Sequence, residues 1–559
     1  MERIFKILGR EYGSINQAAL LLGLFAFLSQ ILGLFRDRFF AHFIGPSASL
    51  DTYYAAFRIP DFIFISIASL ASITVLIPFI VGKMKEGKVT AEAQKFLSDI
   101  FTVFFAVMVL VSFILFFTLP DLVPYVTPGF SAAMQMEVVE LSRIMLLSPI
   151  LLGLSNLFGT VTQLFRKFFI FSLSPILYNL GIIFGIVFFY PHFGIQGLGY
   201  GVVLGAFMHL LVQVFASYSS GLMPKFSSKI NFADIKLAVM TSLPRTLGLS
   251  MNNLALLCII AFASFFKSGS ISIFNFSLNL QSVPLNIIGI SYAVAAFPTL
   301  ARSVSLGKME EFKDHLRSAA KAIVFWSLPV MFLFIVLRAQ IVRVIFGSPT
   351  FSWENTRLVA AALAIFSVSV LAQGMIALLS RAYYAVGETK KPLKINSICA
   401  VLIILLSYVF IQIFHNVPFF QNFIESLLKV EGIPGTEVLM LPLAYSVGTA
   451  INSILQWYFV RKDFMGKRNF ITKTFFQSLG ASFFIGLTAY ISLNILSPIF
   501  GTTTFWGVFL QGFISGILGI CAGVIVLHFL GNEELKDLIK TLRTKFWRAK
   551  VIAPPQEGL

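Results

Sequence analysis

The sequence predicts an all-α polytopic membrane protein of about 14 transmembrane helices, built as two pseudo-repeated six-helix lobes followed by two C-terminal helices. Three observations predict it. Of 559 residues, 57% are hydrophobic and only 12% charged, with 63 phenylalanines and a mean hydropathy of +0.87, a balance no soluble globular domain shows. Apolar runs of about 20 residues recur along nearly the whole chain, and each can cross a hydrocarbon core about 30 Å thick. When those runs alternate across a membrane with both chain ends in the cytoplasm, 32 of the 42 Lys and Arg residues fall on the inner side. A single missed helix would scramble that asymmetry.

Taken in order, Arg3, Lys6 and Arg10 stand opposite Ile4, Phe5, Leu8 and Ile15, a spacing that lays a short amphipathic helix on the membrane surface. No small-residue cleavage site follows it, so no removable signal peptide is expected. Spans 1 to 6 are expected near 17–44, 50–82, 96–119, 137–160, 168–190 and 195–218, giving an N-terminal lobe over 1–220. A basic connection, Pro224 to Lys229, leads to spans 7 to 12 near 234–265, 271–301, 318–338, 355–385, 393–414 and 437–460, a C-terminal lobe over 221–462. Residues 463–559 supply spans 13 and 14, near 474–496 and 504–530, and a basic tail whose Leu535, Leu538, Ile539, Leu542 and Phe546 hold it to the surface.

The two halves share landmarks. Pro78 ends span 2 and Pro298 ends span 8, 220 residues later; Pro175 and Pro392 each open a span after a basic turn and lie 217 apart. Similar offsets point to a duplicated even-numbered unit, which keeps its orientation in the membrane and places a substrate site between the halves.

Composition and motif content exclude several functions. The net charge of +17 is accounted for by membrane topology, so it does not call for nucleic acid. Cys258, Cys399 and Cys521 are far apart within apolar runs, which argues against disulfides and structural zinc. The six histidines are scattered, and no H-E-x-x-H, Walker loop or G-x-S-x-G occurs. The sequence therefore predicts neither an enzyme nor an ATP-driven pump, and no cofactor.

The chemistry concentrates in the charged residues of spans 1, 2 and 7. An ionised side chain near the centre of a membrane helix costs about 2.5–3.5 kcal/mol, so Arg36, Asp37, Arg38, Asp51, Arg58 and Arg245 require a compensating role. Arg36 shares a face with Ser29 and Gly33 and is expected in a cavity, with Arg38 at the outer interface or paired to Asp37. Snorkelling is the alternative, because Ala18–Phe35 alone is long enough to span. Arg58 is expected either in the cavity or as an ion-pair partner of Asp51 or Asp61. Span 7 presents Thr241, Arg245, Gly248 and Asn252 on one face; span 8 presents Ser272, Asn275, Asn279, Ser282 and Asn286 at spacings of three, four, three and four. These stripes read either as cavity lining or as interhelical hydrogen-bond glue. Several inward arginines suit the oxygens of a diphosphate. Gly512, Gly516, Gly519 and Gly523 give span 14 a smooth face, for close packing or for the groove of a lipid tail.

Leu32 to Asp37, Asp51, Phe57-Arg58-Ile59-Pro60, Ile77-Pro78, Ser174 to Asn179, Gly201 to Gly205, Ser268-Gly269-Ser270, Phe297-Pro298, Phe346-Gly347, Arg381 to Ala385 and Thr389 to Pro392 stand in order over the first 400 residues. Together they resemble the MurJ (MviN) lipid II flippases of the multidrug/oligosaccharide-lipid/polysaccharide exporter superfamily. The resemblance implies two six-helix lobes around a cavity lined by spans 1, 2, 7 and 8, with spans 13 and 14 forming a groove for a polyprenyl tail. It implies alternating access that carries a lipid-linked sugar diphosphate across the bacterial inner membrane, among membrane lipids and cell-wall synthesis proteins, and it gives Arg36, Asp37 and Asp51 functional roles. The chain departs from the pattern at Phe64 and Ile65, where the family has basic residues, at Ala68-Ser69-Leu70 for Ala-Glu-Gly, and at Leu278-Asn279 for Asp-Arg. Arg245 is the candidate to supply the missing cation. Two other functions remain open: export of another lipid-linked glycan or small molecule, and a non-transporting scaffold of the cell envelope.

Overall fold

The computed structural model describes residues 15–68, 73–84, 89–165, 167–466, 471–501 and 504–547. Among them the regular elements are helical, and the one β feature is an isolated bridge between Ser348 and Phe351. In chain order the helices are α1 (Ile15–Phe43), α2 (Ala48–Ile63), α3 (Ile73–Gly82), α4 (Ala91–Val126), α5 (Ala132–Met145), α6 (Leu147–Leu164) and α7 (Phe168–Phe184). There follow α8 (Tyr190–Phe193), α9 (Ile195–Tyr218), α10 (Phe232–Ala263), α11 (Ser270–Pro284), α12 (Ser291–Ser305), α13 (Met309–Val336) and α14 (Arg338–Phe346). The rest are α15 (Trp353–Ala385), α16 (Lys390–Asn416), α17 (Pro418–Leu428), α18 (Met440–Val460), α19 (Thr472–Phe500), α20 (Phe505–Phe529) and α21 (Glu533–Trp547).

Twelve helical segments among the described residues are long and apolar enough to cross a membrane, which makes this a multi-pass membrane protein. The expectation was fourteen. The other two expected spans coincide with α1 and with α2, a π-helical turn at Phe64–Ala68 and α3. The amphipathic N-terminal segment through Ser14 lies outside the described residues, as do the side chains of Leu542 and Phe546 in the tail.

Backbone packing divides the chain into two compact units. The first holds the described residues up to Val283 together with Ile345–Ser369 and Gly387–Gln456. Its helices pack α7 against α9 and α1, α2 against α5, and α10 against α16. The α7–α9 contact is backbone to backbone: a Cβ added at Gly181 would overlap the Cα of Gly205, and Gly185 meets Gly201 in the same way. Small residues allow that approach, which is how helices associate when lipid removes any hydrophobic advantage.

Pro60 sits inside α2 and has no N–H to offer the carbonyl of Ala56 one turn earlier. Ser142 of α5 donates its hydroxyl to that carbonyl at 3.1 Å, so the helix continues without an orphaned acceptor in the membrane. At one end of this unit the rings of Phe40, Tyr53, Tyr54, Phe276, Phe346 and Phe351 form a buried aromatic layer, with centroid separations of 4.7 Å for Phe276–Phe346 and 4.8 Å for Phe40–Tyr53. The turn between α1 and α2 closes over it: Gly45 has a φ of +67°, and a Cβ there would stand 2.5 Å from the Thr350 carbonyl oxygen. Thr350 in turn donates its hydroxyl to the Ala41 carbonyl at 2.7 Å.

The second unit comprises Pro284–Val344, Val370–Val386 and the described residues from Trp457 onward. In it α19 packs on α20 and on α13, and α12 packs on α13. The first turn of α21 docks on the end of the α13–α19 pair: Leu535 is buried against Phe325, Ala481 and Leu527, while Lys321 reaches Glu533 and Glu534 at 3.3 Å each.

Candidate functional site

The charged residues of α1 and α2 and the polar stripe of α11 all belong to the first unit, and they meet. Arg36 donates to Oδ1 of its neighbour Asp37 from Nε at 3.0 Å and Nη2 at 2.8 Å, and from Nη1 to Asn179 Oδ1 of α7 at 3.2 Å. The other oxygen of Asp37 accepts Asn279 Nδ2 at 2.9 Å. Asp37 is 1% exposed, whereas the Arg36 side chain is 23% exposed and keeps an open edge. A Cβ added at Gly33, one turn before Arg36, would meet nothing within 4 Å, so this face of α1 borders free space.

Arg38 was expected at the outer interface or paired to Asp37; its Nη1 donates to the Ile345 carbonyl at 2.9 Å, and Asp37 is held by Arg36 and Asn279.

Asp51 is 2% exposed and both its oxygens are occupied. Gly269 N donates to Oδ2 at 2.6 Å; Ser272 N and Ser272 Oγ donate to Oδ1 at 2.7 and 2.6 Å. These are donors at the start of α11, which would otherwise have no partner, and a carboxylate there is also favoured by the helix dipole. Arg58 therefore does not pair with Asp51. Its Nη2 donates to Asn275 Oδ1 at 2.6 Å, and neither Asp51 nor Asp61 stands within ion-pair distance of it among the described residues. Asn275 is held for this by donating its own amide to the Ile271 carbonyl at 2.8 Å.

The stripe on α11 thus meets α1 and α2 position by position: Ser272 with Asp51, Asn275 with Arg58, Asn279 with Asp37, and Ser282 with Gln30 Nε2 at 3.4 Å. It works as hydrogen-bond glue and, through the same bonds, orients the charges. Asn286 is exposed, belongs to the second unit and lies within a π-helical turn at Leu285–Ile290, where the 3.6-residue register of α11 ends. Arg245 and Thr241 lie on α10, and their side chains are outside the described residues. Asn252, further along α10, is hydrogen-bonded to Tyr445.

The glycine face of α20 is filled by protein. An added Cβ would stand 3.1 Å from Gln340 Cβ at Gly512, 3.3 Å from Leu337 Cδ1 at Gly516 and 2.8 Å from the Ile485 carbonyl oxygen at Gly519, and at Gly523 it would overlap Ile485 Cγ1. The expected lipid-tail groove at Gly512, Gly516, Gly519 and Gly523 is corrected accordingly: the missing side chains make room for α19 and α14, and no space is left on this face for an acyl or prenyl chain.

Asn179 and Gln30 were missed as site residues. The signal for Asn179 was present, since a lone amide in the middle of the apolar α7 run needs a partner. Chemically, Arg58 is the notable group. Of the five N–H donors of its guanidinium, the hydrogen bond to Asn275 is the one made to a described residue. The remaining fork matches two oxygens of a phosphate.

Charged residues buried in a bundle of long apolar helices, held by one another and by polar groups of neighbouring helices, with donor edges left free among the described residues, define a multi-pass membrane transporter. Solved structures share this fold. A lipid II flippase MurJ in an inward closed conformation aligns at a TM-score of 0.71, 21% identity, over 93% of this chain and 100% of its own. An inward-facing multidrug resistance MATE family transporter of the MOP superfamily aligns at 0.61, 15% identity, over 78% and 94%. The family model described as "Lipid II flippase MurJ" matches residues 40–511, and the chain belongs to that family, whose members are transporters and not enzymes. Among curated relatives, a probable lipid II flippase MurJ of Aquifex aeolicus is 27% identical over 510 residues, 89% of this chain and 98% of that protein. One of Buchnera aphidicola from Schizaphis graminum is 28% identical over 391 residues, 68% and 75% respectively.

Proposed function

We propose that this protein carries lipid II, or a closely similar polyprenyl-diphosphate-linked cell-wall precursor, from the inner to the outer leaflet of the bacterial cytoplasmic membrane by alternating access. The observation that carries the reading is Arg58, a membrane-embedded guanidinium with most of its donors unspent among the described residues, beside Arg36, whose open edge borders the space next to Gly33. Two planar cations on adjacent helices suit a diphosphate. The duplicated halves, residues 1–220 and 221–462, would be the lobes that alternate, with residues 463–559 appended to them. Both termini are proposed to be cytoplasmic, on the strength of the Lys and Arg asymmetry, and neighbours among cell-wall synthesis proteins follow from the substrate.

The test is complementation. The chain is expressed in a bacterium depleted of its own lipid II flippase, and lipid II reaching the outer leaflet is measured, with Arg36→Ala and Arg58→Ala at equal abundance. Flipping by the parent and its loss in both variants is expected; no flipping from a folded, membrane-inserted parent overturns the assignment. A second reading, export of a different lipid-linked glycan, is favoured by Asn279. It meets Asp37 with a neutral amide where the MurJ pattern has an arginine, so the site carries one cation fewer.

A further inference from the structure

Asp61 is an ionisable residue of α2 to which the site as described assigns no task. It lies three residues after Arg58, one helical turn along the same face. It is half-buried, within electrostatic range of Arg58 and of Tyr178 on α7. The other carboxylates of this region are fully engaged: Asp37 by Arg36 and Asn279, Asp51 by Gly269 and Ser272. The Asp61 carboxylate has no hydrogen bond and no ion pair with any described residue.

A carboxylate in a membrane helix with no ion-pair contact and no donor among the described residues is costly. This one stands beside a guanidinium that is also largely unspent, and the two do not close on each other. The pair therefore presents an acceptor and a donor fork side by side, about one turn or roughly 5 Å apart along the helix. A lone phosphate would satisfy only half of it. A phosphate with hydroxyl or amide N–H groups on the adjoining sugar would satisfy both, the phosphate on Arg58 and the sugar donors on Asp61.

We propose that Asp61 is a specificity-determining residue of this site, accepting hydrogen bonds from the sugar next to the phosphate that Arg58 takes. This rests on the reading of the site as one for a lipid-linked sugar diphosphate. It assigns the recognition of sugar to a residue on α2, separately from the recognition of phosphate.

The experiment measures binding of two probes to the purified full-length protein in nanodiscs: lipid II, and undecaprenyl diphosphate, which has the phosphates and no sugar. The parent is compared with Asp61→Ala, Asp61→Asn and Arg58→Ala, each checked for monodispersity and thermal stability. The inference expects Asp61→Ala to weaken lipid II about tenfold, the order that one lost hydrogen bond to a charged acceptor produces, and to leave undecaprenyl diphosphate unchanged. Asp61→Asn, which keeps one acceptor oxygen, should recover part of the loss, and Arg58→Ala should weaken both probes. Equal effects of Asp61→Ala on the two probes, or none on either, overturn the role of Asp61 while leaving the substrate class standing. Failure of the parent to bind either probe overturns the substrate class itself. A variant that loses its fold is replaced by Asp61→Ser, which is read by the same criterion.

Discussion

Removing the Asp51 carboxylate should loosen the start of α11 and little else. Asp51→Ala deletes the acceptor for three donors, Gly269 N, Ser272 N and Ser272 Oγ, at 2.6, 2.7 and 2.6 Å. The hydroxyl can turn back to a carbonyl of its own helix, but the two backbone N–H groups cannot, and the site is too buried for water to replace the acceptor. A buried donor left unpaired costs about 1–3 kcal/mol, so two cost about 2–6 kcal/mol, and about 4 kcal/mol is a central figure. Every 1.4 kcal/mol is a factor of ten. Hydrogen exchange across residues 269–275 should therefore accelerate by between two and three orders of magnitude if that cost falls on local opening. The assay is exchange mass spectrometry in detergent or nanodiscs, with peptides from α7 and α9 as the internal control for global integrity. Asp51→Asn should fall between: its one oxygen can still serve Ser272, while its amide meets Gly269 N with a second donor. Exchange within threefold of the parent for Asp51→Ala, in a protein whose control peptides are unchanged, would refute the idea that this carboxylate fastens the helix.

Three further outcomes are expected. Gly523→Ala should destabilise the second unit by about 1–3 kcal/mol through overpacking against Ile485; Ile485→Ala in the same chain should recover part of it, so a thermal-unfolding double-mutant cycle that is additive would contradict the packing described. Arg58→Lys keeps the charge and loses the fork, and lipid II flipping should drop about tenfold; flipping at the parental rate would mean that a point charge suffices. The Glu533 carboxylate is held below its ordinary value of 4.5, first by its hydrogen bond from Lys321 and then by the charges of Lys321 and Lys473. Its contribution to docking α21 is therefore present above that ordinary value and lost as pH falls through the lower, folded one. A spin label at Lys540→Cys should gain mobility over that interval, and Glu533→Gln should remove the pH dependence.

The membrane class and the positions of most spans were legible because lipid imposes a simple rule, about 20 apolar residues for each crossing. The α4, α9 and α20 runs obey it with almost no charge. Where the chain breaks the rule, in α1 and α2, reading stopped at the statement that charges need partners. The sequence contains the partners, but their identity depends on distances it does not hold. Asp51 finds the first turn of a helix some 220 residues later, not Arg58 two turns away; Ser142 compensates a proline on another helix; Asn179 turns out to hold Arg36. The α11 stripe was visible as a period, yet the π-helical turn at Leu285–Ile290, in which its last member lies, was not, because nothing in those residues announces it. The glycines of α20 illustrate a different limit. Their spacing reveals a smooth face and says nothing about whether lipid or another helix lies against it.

One arrangement bears on how a carrier lets go. Arg36 is covered on one side by the carboxylate of its own neighbour, and that carboxylate is anchored on its far side by Asn279. On the reading proposed above, a phosphate arriving at the open edge of Arg36 meets a guanidinium whose charge Asp37 already partly neutralises, and a departing one leaves it with that partner still in place. The net gain from binding is smaller than an unpaired guanidinium would give. A receptor built to retain its ligand would have no use for such a resident rival. A protein that has to surrender its cargo on the opposite face of a membrane gains from it a shallow well, quickly filled and quickly emptied.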